Sequence, residues 1–364
     1  MKTTAFNAIH KALGAKLVEF GGYEMPVQYR GIMEEHTAVR TRVGVFDVSH
    51  MGEFEVRGPG SLAFLQRVTV NDVSKLSDGD VQYSAMPNPQ GGIVDDLLVY
   101  HCGDRYMLVV NAANIAKDFA WLQQNLGPDA ELRDVSDTMS LLAVQGPRSM
   151  DTLQPLTDVS LRDIPYYHFR RGTVAGHQAV ISRTGYTGEL GYELYFDSTP
   201  EVGRAVWEAL FRSGAAFSIQ PIGLGARDTL RLEMGYCLYG NDIDDTTTPL
   251  QAGLGWITKL GKGDFIGRSI LDREKSSGLP RRLVGVTLPE KNIARHGYVI
   301  SDGSKDIGVV TSGTFSPSLQ RSIAMGYVPA SSATPGATVQ IMIRGKAVPA
   351  TVTALPFVQG SATV

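Results

Sequence analysis

The pattern of hydrophobic and polar positions predicts helices and strands in mixed order over roughly the first 275 residues. Apolar side chains recur at helical spacing in five segments: 5–19, 60–70, 112–126, 199–213 and 224–235. The third segment is the clearest, because Ile115, Phe119 and Leu122 fall on one helix face. Strand patterns lie between the helices in seven runs: EFEVRG, QYSAMPN, GIVDDLLVY, RYMLVVN, MSLLAVQG, HQAVISRTGY and GYELYFD.

Two pairs of these strand patterns predict hairpins. Residues 81–100 and 177–196 each carry a turn-rich centre, NPQGG and TGELG, between strand-like flanks. The helices and strands do not alternate strictly. The order therefore favours an α+β fold with antiparallel sheets over a doubly wound parallel sheet.

The character of the sequence changes near residue 282. Short strand patterns separated by turns follow, and no helical pattern remains in this part of the sequence. This spacing predicts a separate all-β barrel or sandwich over 282–364. We place the end of the preceding α+β region at about residue 275, with a charged, turn-forming boundary at 272–282.

Composition changes this picture little, but it excludes several classes of function. A chain of 364 residues is long for one core and favours two or three packed units. A net charge of −3 argues against nucleic-acid or membrane-surface partners, which need a basic excess. Cys102 and Cys237 lack a CxxC partner. No apolar run is long enough to span a membrane, and no apolar segment typical of a secretory signal follows Lys2. We therefore expect a cytoplasmic protein, although a processed organelle-matrix protein would have the same composition.

No recognised metal or nucleotide motif is found in the sequence. The seven histidines form no HxxxH or HExxH pattern, and no Cys/His cluster occurs. The glycine-rich runs GYTGELGYE and GKGDFIG match neither the dinucleotide fingerprint nor the P-loop. We expect a polar-lined pocket that holds no metal.

Two aspartates interrupt the apolar strand pattern GGIVDDLLVY. Successive strand residues point to opposite faces, so Asp96 shares a face with Leu98 and Tyr100, and Asp95 lies on the other apolar face. A charge in a dry environment is costly unless it is paired or hydrogen-bonded. Two explanations stay open from spacing alone: a functional site, or capping of backbone amides near the hairpin turn.

A second strand pattern also contains an acidic residue among apolar ones. Glu193 alternates with Tyr192 and Leu194 in an apolar run. A carboxylate there can accept hydrogen bonds from the paired N–H groups of a heterocycle, or it can form a salt bridge at a pocket rim.

Two arginines four residues apart, Arg227 and Arg231, share one helix face, where like charges repel. Either an acid on the same helix, Asp228 or Glu233, compensates them, or an anionic group from elsewhere does so.

Nine stretches together resemble the family of glycine cleavage system T proteins, the tetrahydrofolate-dependent aminomethyltransferases. They occur in the family's order and cover nearly the whole chain: HKALGAKLVEFGGYEMPVQY, FDVSHMGE, NPQGGIVDDLLVY, VVNAANIAKD, SRTGYTGELGYEL, GLGARDTLRLEMGYCLYG, PLQAGLGW, DFIGR and GVVTSGTFSPSL. The family usually has tryptophan where this chain has Tyr23, a difference that concerns packing.

The resemblance implies a fold of three lobes, arranged like a cloverleaf around a central channel for folate. Two lobes come from residues 1–275, and the third is the C-terminal all-β lobe. The implied reaction takes an aminomethyl group from the lipoyl arm of a carrier protein, the H protein. Its carbon passes to tetrahydrofolate, giving 5,10-methylenetetrahydrofolate, ammonia and a dihydrolipoyl arm. The locally basic stretch 259–275 is either a docking surface for that carrier or a solvated charged face.

The resemblance also implies roles for individual residues. Asp96 matches the functional carboxylate near the nitrogen that bridges pterin and benzoate, and Glu193 matches the acid that holds the pterin edge. Five more positions match the folate pocket: Met51, Tyr83, Tyr186, Arg227 and Tyr236. Asp95 remains a structural neighbour. We expect Asp96 to act mainly through orientation and electrostatics, with base catalysis secondary.

Three other kinds of folate-binding protein are alternatives to the aminomethyltransferase. A relative that maintains iron–sulfur clusters carries a cysteine in a KGCYxGQE-like segment, whereas this chain has KGDFIGR with Asp264 at that position. A folate-dependent demethylase and a folate-binding protein without turnover are separated from the aminomethyltransferase only by the segment-by-segment match.

Overall fold

The computed structural model describes residues 1–289 and 292–362. The α-helices of these residues are α1 Asn7–Ala12, α2 Ile32–Thr41, α3 Ser61–Val68, α4 Ile115–Gln124, α5 Ser149–Leu153, α6 Pro200–Ser213, α7 Leu224–Glu233 and α8 Arg268–Ser277. Short 3₁₀ helices are Val73–Lys75, Ala112–Asn114, Ser136–Thr138, Gln154–Leu156, Leu161–Asp163, Gly214–Phe217, Leu254–Trp256, Leu260–Lys262 and Ala330–Ser332.

The strands form three large sheets and one small ribbon. In the first 275 residues they are β1 Lys16–Phe20, β2 Tyr23–Gln28, β3 Gly44–Asp47, β4 Gly52–Arg57, β5 Val81–Pro87, β6 Ile93–His101, β7 Arg105–Val110, β8 Glu131–Asp134, β9 Met139–Gln145, β10 Phe169–Val174, β11 His177–Ser182, β12 Gly191–Asp197 and β13 Gln220–Ile222. The remaining strands are β14 Arg281–Leu288, β15 Val299–Ser301, β16 Asp306–Ser316, β17 Arg321–Pro329, β18 Thr338–Ile343 and β19 Lys346–Thr353.

The first lobe is a five-stranded antiparallel sheet in the order β5-β6-β7-β4-β8. One face packs against α3 and α4, with Leu65, Leu97 and Leu122 in a shared core. The β5–β6 hairpin predicted over 81–100 is confirmed. Its turn needs glycine, because Gly91 has a φ of +83° and a Cβ on Gly92 would lie 1.8 Å from the Asp245 carbonyl oxygen.

The second lobe is a six-stranded sheet in the order β10-β11-β12-β9-β3-β13. Its pairs are antiparallel except for β13 with β3. The predicted pairing over 177–196 is confirmed as β11 with β12. Its outer face packs against α6 through Val206, Trp207 and Leu210, and its inner face shares a core with the first lobe.

The third lobe is a closed barrel in the strand order β14-β17-β16-β15-β18-β19, sealed by pairing of β14 with β19. Alternate residues such as Val284 and Val286 fill its interior. The prediction of an all-β C-terminal lobe is confirmed, and so is the α+β class with mainly antiparallel sheets.

Helix α7 joins the barrel to the other two lobes. Its Leu230 lies in the core between the two sheets, and its Leu232 packs against Ile323 and Met325 of the barrel. Glu233 is fully buried at the end of the helix, where it pairs with Arg40 at 2.9 Å.

The predicted helix over 5–19 is wrong beyond residue 12. Helix α1 ends at Ala12, Gly14 takes a φ of +70°, and Lys16–Phe20 pairs with Tyr23–Gln28 across a Gly21–Gly22 turn. Pairing with the next strand overrides the weak helical periodicity of these few residues.

Three of the described helices, α2, the short α5 and α8, have no counterpart in the sequence prediction. Two of the four buried positions of α2 are Glu35 and His36, so its buried face does not read as apolar. Helix α8 buries only Leu271 and occupies the first half of the stretch expected to be a turn-forming boundary. A helix that is polar on nearly every face carries almost no hydrophobic periodicity.

Candidate active site

A cavity of about 870 Å³ lies where the three lobes meet. Strands of both sheets, helix α7 and the barrel contribute to its wall, for example through Asp96, Glu193, Arg227 and Val284. The structure brings all seven residues predicted from the family resemblance to this wall: Met51, Tyr83, Asp96, Tyr186, Glu193, Arg227 and Tyr236.

Asp96 projects into the cavity from the middle of β6. The alternation of the strand places Asp96, Leu98 and Tyr100 toward the second lobe, as the period-two pattern predicts. Two neighbours hold the carboxylate: Tyr83 donates its hydroxyl to Oδ2 at 2.9 Å, and Asn111 donates its side-chain amide to Oδ1 at 2.8 Å. Tyr83 lies on β5 and Asn111 directly follows β7, the two strands that flank β6, so the carboxylate has a fixed orientation.

The surroundings of Asp96 disfavour its charge. Burial and the adjacent charge of Asp95 raise the pKa of Asp96 to about 7, although the hydrogen bonds from Tyr83 and Asn111 oppose the rise. Burial and the charge of Asp96 likewise raise the pKa of the Tyr83 phenol well above its usual value. A carboxylate that changes protonation near neutral pH is suited both to electrostatic stabilisation and to moving a proton.

Asp95 lies on the opposite face of β6 and is the drier of the two aspartates. It is fully buried, whereas Asp96 is partly exposed to the cavity. Its carboxylate accepts hydrogen bonds from the backbone N–H of Asn111 and from the side-chain amides of Asn111 and Asn114. Asp95 does accept a backbone N–H, as expected, but not at the hairpin turn, because Asn111 directly follows β7 and Asn114 directly precedes α4.

Glu193 lies on β12, on the second sheet's side of the cavity. Thr184 donates its hydroxyl to Oε2 of Glu193. Burial raises the pKa of the Glu193 carboxyl, while the hydrogen bond from Thr184 and the charge of Arg227 counteract the rise. Glu193 lines the cavity, where a carboxylate can accept hydrogen bonds from a ligand.

A stack of aromatic and cationic groups forms another part of the wall. The rings of Tyr186 and Tyr236 are stacked with centroids 5.8 Å apart, and the guanidinium of Arg227 lies 4.7 Å from the Tyr186 ring centroid. The Tyr186 hydroxyl donates to the carbonyl of Cys237, which fixes the ring. Flat aromatic faces of this kind favour a planar heterocycle.

The two arginines of α7 have different partners. Arg231 is fully buried and binds Asp242 at 2.6 Å, Asp228 at 2.8 Å and the Ser312 hydroxyl of the barrel at 2.8 Å. Asp228 is thus one of the predicted partners, but Glu233 is not, because it pairs with Arg40. Arg227 instead contributes its guanidinium to the cavity wall.

Sequence reasoning missed three residues that shape the cavity. Asn111 fixes Asp96, Thr184 fixes Glu193, and Trp256, which is 61% exposed, lies at the cavity beside Tyr83 with ring centroids 6.1 Å apart. Each stands next to a strand or in a turn-rich run, where polar and aromatic residues are common and carry no periodic signal.

The cavity suits a planar heterocyclic small molecule. Its volume lies in the range of small-molecule sites. Glu193 offers an acceptor oxygen for a heterocycle edge, and Asp96 offers a second carboxylate elsewhere on the wall. Within residues 1–289 and 292–362, no three His, Cys, Asp or Glu side chains are grouped so that they could hold a metal ion, and no helix is long and apolar enough to cross a bilayer.

Comparison with known proteins agrees with this geometry. Residues 6–262 match the family model described as the GCVT N-terminal domain, and residues 281–359 match the glycine cleavage T-protein C-terminal barrel domain. Among curated relatives, the aminomethyltransferase of Chloroherpeton thalassium is 56% identical over 361 residues, which is 98% of this chain and 99% of the relative. That of Phocaeicola vulgatus is 54% identical over 362 residues, with the same coverage.

A solved structure has the same fold over the full length. The glycine cleavage system aminomethyltransferase T of Bartonella henselae superposes with a TM-score of 0.92 at 35% identity and covers 99% of both chains. The match includes the two sheets, the barrel and the junction between them. The chain therefore belongs to the glycine cleavage T-protein family of aminomethyltransferases.

Proposed function

We propose that this protein is the aminomethyltransferase of a glycine cleavage system. It transfers the methylene carbon of the aminomethyl group on a lipoylated H protein to tetrahydrofolate. The bonds of this carbon to nitrogen and to the lipoyl sulfur both break, so the products are 5,10-methylenetetrahydrofolate, ammonia and the dihydrolipoyl arm. The observation that carries the proposal is the fixed Asp96 carboxylate in a cavity that also holds the acceptor carboxylate of Glu193.

Tetrahydrofolate, when bound, supplies the amine that accepts the carbon. Glu193 orients the pterin by accepting hydrogen bonds from its N–H edge, and the stacked pair Tyr186 and Tyr236 bounds the plane of the ring. Met51, Tyr83 and Arg227 complete the pocket. These contacts hold the acceptor amine near Asp96, so that transfer proceeds from a preorganised geometry.

Asp96 stabilises the positive charge that develops at the carbon as ammonia leaves. A carboxylate in a partly dry cavity interacts more strongly with such a charge than one in water. Because its two hydrogen bonds already fix its orientation, little reorganisation is needed during the reaction. A pKa near neutrality lets the same group hold a proton in a secondary role.

The lipoylated carrier is the second substrate, and we propose a cytoplasmic location. The locally basic stretch 259–275 offers less free positive charge than its sequence indicates. Lys262 donates to the carbonyl oxygens of Gln66, Thr69 and Asn71 at 2.6–2.7 Å, and Arg268 pairs with Asp272.

The function is tested by supplying aminomethylated, lipoylated H protein and tetrahydrofolate to the purified protein. We expect release of ammonia together with 5,10-methylenetetrahydrofolate in equal amounts. Folate binding without ammonia release would instead identify a non-catalytic binding protein. Turnover of N-methyl or sulfonium substrates without the carrier would identify a demethylase.

A further inference from the structure

A second layer of buried polar groups lies behind Asp96. Asp95 is fully buried there and accepts three N–H hydrogen bonds, from Asn111 at 2.9 and 3.1 Å and from Asn114 at 2.8 Å. Helix α4 adds Asp118, which is fully buried next to Asp95 and lies one helix turn after Asn114, the residue whose side-chain amide donates to Asp95. Among the described residues, no N–H or O–H group donates to either oxygen of Asp118.

Two adjacent carboxyl groups in so dry a place hold one proton between them, because two like charges there repel strongly. The ammonium of Lys117 does not replace that proton. It lies 4.0 Å from Asp118 and donates instead to the Val94 carbonyl and to the Tyr239 hydroxyl. Three N–H donors stabilise the charge on Asp95, so the proton belongs on Asp118, and burial together with Asp95 raises the pKa of Asp118 far above its usual value.

Asn111 connects this pair to the cavity. Its side-chain nitrogen lies 2.9 Å from Asp95 and 2.8 Å from Asp96, and an amide nitrogen carries one hydrogen for each. The backbone N–H of Asn111 is also bound to Asp95, so Asp95 fixes the residue at two points. The order of contacts is therefore Asp118, Asp95, Asn111, Asp96.

We propose that Asp118, as a neutral acid donating to Asp95, and Asn111 are positioning residues that orient the Asp96 carboxylate for carbon transfer. The inference rests on the proposed function, because it concerns the same reaction. Among the residues that the structure describes, no other side chain near Asp95 and Asp118 is placed to orient Asp96 in this way. The remaining titratable groups that face Asp96 or the pair are phenols and a thiol with raised pKa values and one ammonium: Tyr83, Tyr186, Cys237, Tyr239 and Lys117.

The kinetic test uses two variants of similar shape. Asp118→Asn keeps a hydrogen to donate to Asp95, whereas Asp118→Leu has the same branching and no donor. We expect Asp118→Asn to keep kcat within about threefold, and Asp118→Leu to lose about tenfold or more in kcat with the KM for tetrahydrofolate nearly unchanged. Asn111→Ala breaks the same series of contacts at another link and should lower kcat similarly.

A folded Asp118→Leu protein with normal kcat would overturn the inference, and so would an Asp118→Asn protein as impaired as Asp118→Leu. A role in stability alone would lower the unfolding temperature of both variants without separating their kcat values.

Infrared spectroscopy tests the proton on Asp118 without any assay of turnover. At about pH 9, where ordinary carboxyl groups are ionised, the wild type should show the carbonyl stretch of a carboxylic acid that Asp118→Asn lacks. Glu53 is a second buried acid, and burial raises its pKa well above the usual value, so any band that it contributes should be the same in both proteins.

The absence of an infrared difference would overturn this inference. A wild-type protein that releases no ammonia from aminomethylated carrier and tetrahydrofolate would instead refute the proposed function, so the two failures are distinguishable.

Discussion

Removing the hydroxyl of Tyr83 should shift the acid limb of the pH–rate profile to higher pH. That hydroxyl donates to Asp96 at 2.9 Å and favours the ionised carboxylate. A hydrogen bond to a charged group contributes about 1.5–3 kcal/mol, and one pKa unit corresponds to about 1.4 kcal/mol. In Tyr83→Phe the pKa of Asp96 should therefore rise by about one to two units above its value of about 7.

Whether kcat falls or rises depends on which protonation state of Asp96 is active in the reaction. If the carboxylate is the active form, raising its pKa leaves less of it at neutral pH. The variant should lose about five- to fiftyfold in kcat at pH 7 and recover most of the loss in more alkaline buffer. The assay is the initial rate of 5,10-methylenetetrahydrofolate formation across the pH range, with saturating carrier and tetrahydrofolate.

Tyr186→Phe is the matched control. It removes a phenolic hydroxyl from the same cavity, but this hydroxyl donates to the carbonyl of Cys237 and not to Asp96. We expect its acid limb to coincide with that of the wild type. An acid limb that is the same in Tyr83→Phe as in the wild type would refute the electrostatic reasoning for Asp96.

Two further substitutions test the ligand contact and the joint between lobes. Glu193→Gln removes the charge that accepts from the pterin edge, so calorimetry should show a Kd for tetrahydrofolate weakened by about tenfold or more, with little change in kcat; an unchanged Kd would contradict the assignment. Glu233→Gln should lower the free energy of unfolding in urea at pH 7 by about 3 kcal/mol. Burial alone would raise the pKa of Glu233, but its contacts with His36, Ser316 and Arg40 outweigh burial and lower that pKa to about 2. A lowered pKa stabilises the fold above the unfolded value of 4.5, so the difference from the wild type should shrink as pH falls toward 2, and a difference independent of pH would contradict the pairing.

Hydrophobic periodicity and turn residues in the sequence predicted the features that depend on neighbouring residues along the chain. The hairpin over 81–100, the alternation that directs Asp96 and Asp95 to opposite faces, and the barrel after residue 281 all follow from period-two patterns and turns. Helices with an apolar stripe, such as α4 and α6, were predicted for the same reason. The mostly polar helix α8 carried no such signal.

Contacts between distant segments were beyond this reasoning. Arg227 and Arg231 share a helix face, and only the folded arrangement shows that Arg231 pairs with Asp242 whereas Arg227 lines the cavity. The link from Asp118 through Asn111 to Asp96 joins β6 to the start of α4 and has no sequence periodicity. The family resemblance gave the cavity residues, and the geometry gave the groups that hold them.

Single-turnover transfer by Asp96→Asn tests the central claim most directly. Asparagine keeps the size of the side chain and removes its charge, so the change isolates the electrostatic role. We predict a rate of 5,10-methylenetetrahydrofolate formation lowered by about a hundredfold or more, with a Kd for tetrahydrofolate close to that of the wild type. Near-normal transfer at unchanged affinity would contradict the claim that the Asp96 carboxylate drives the reaction.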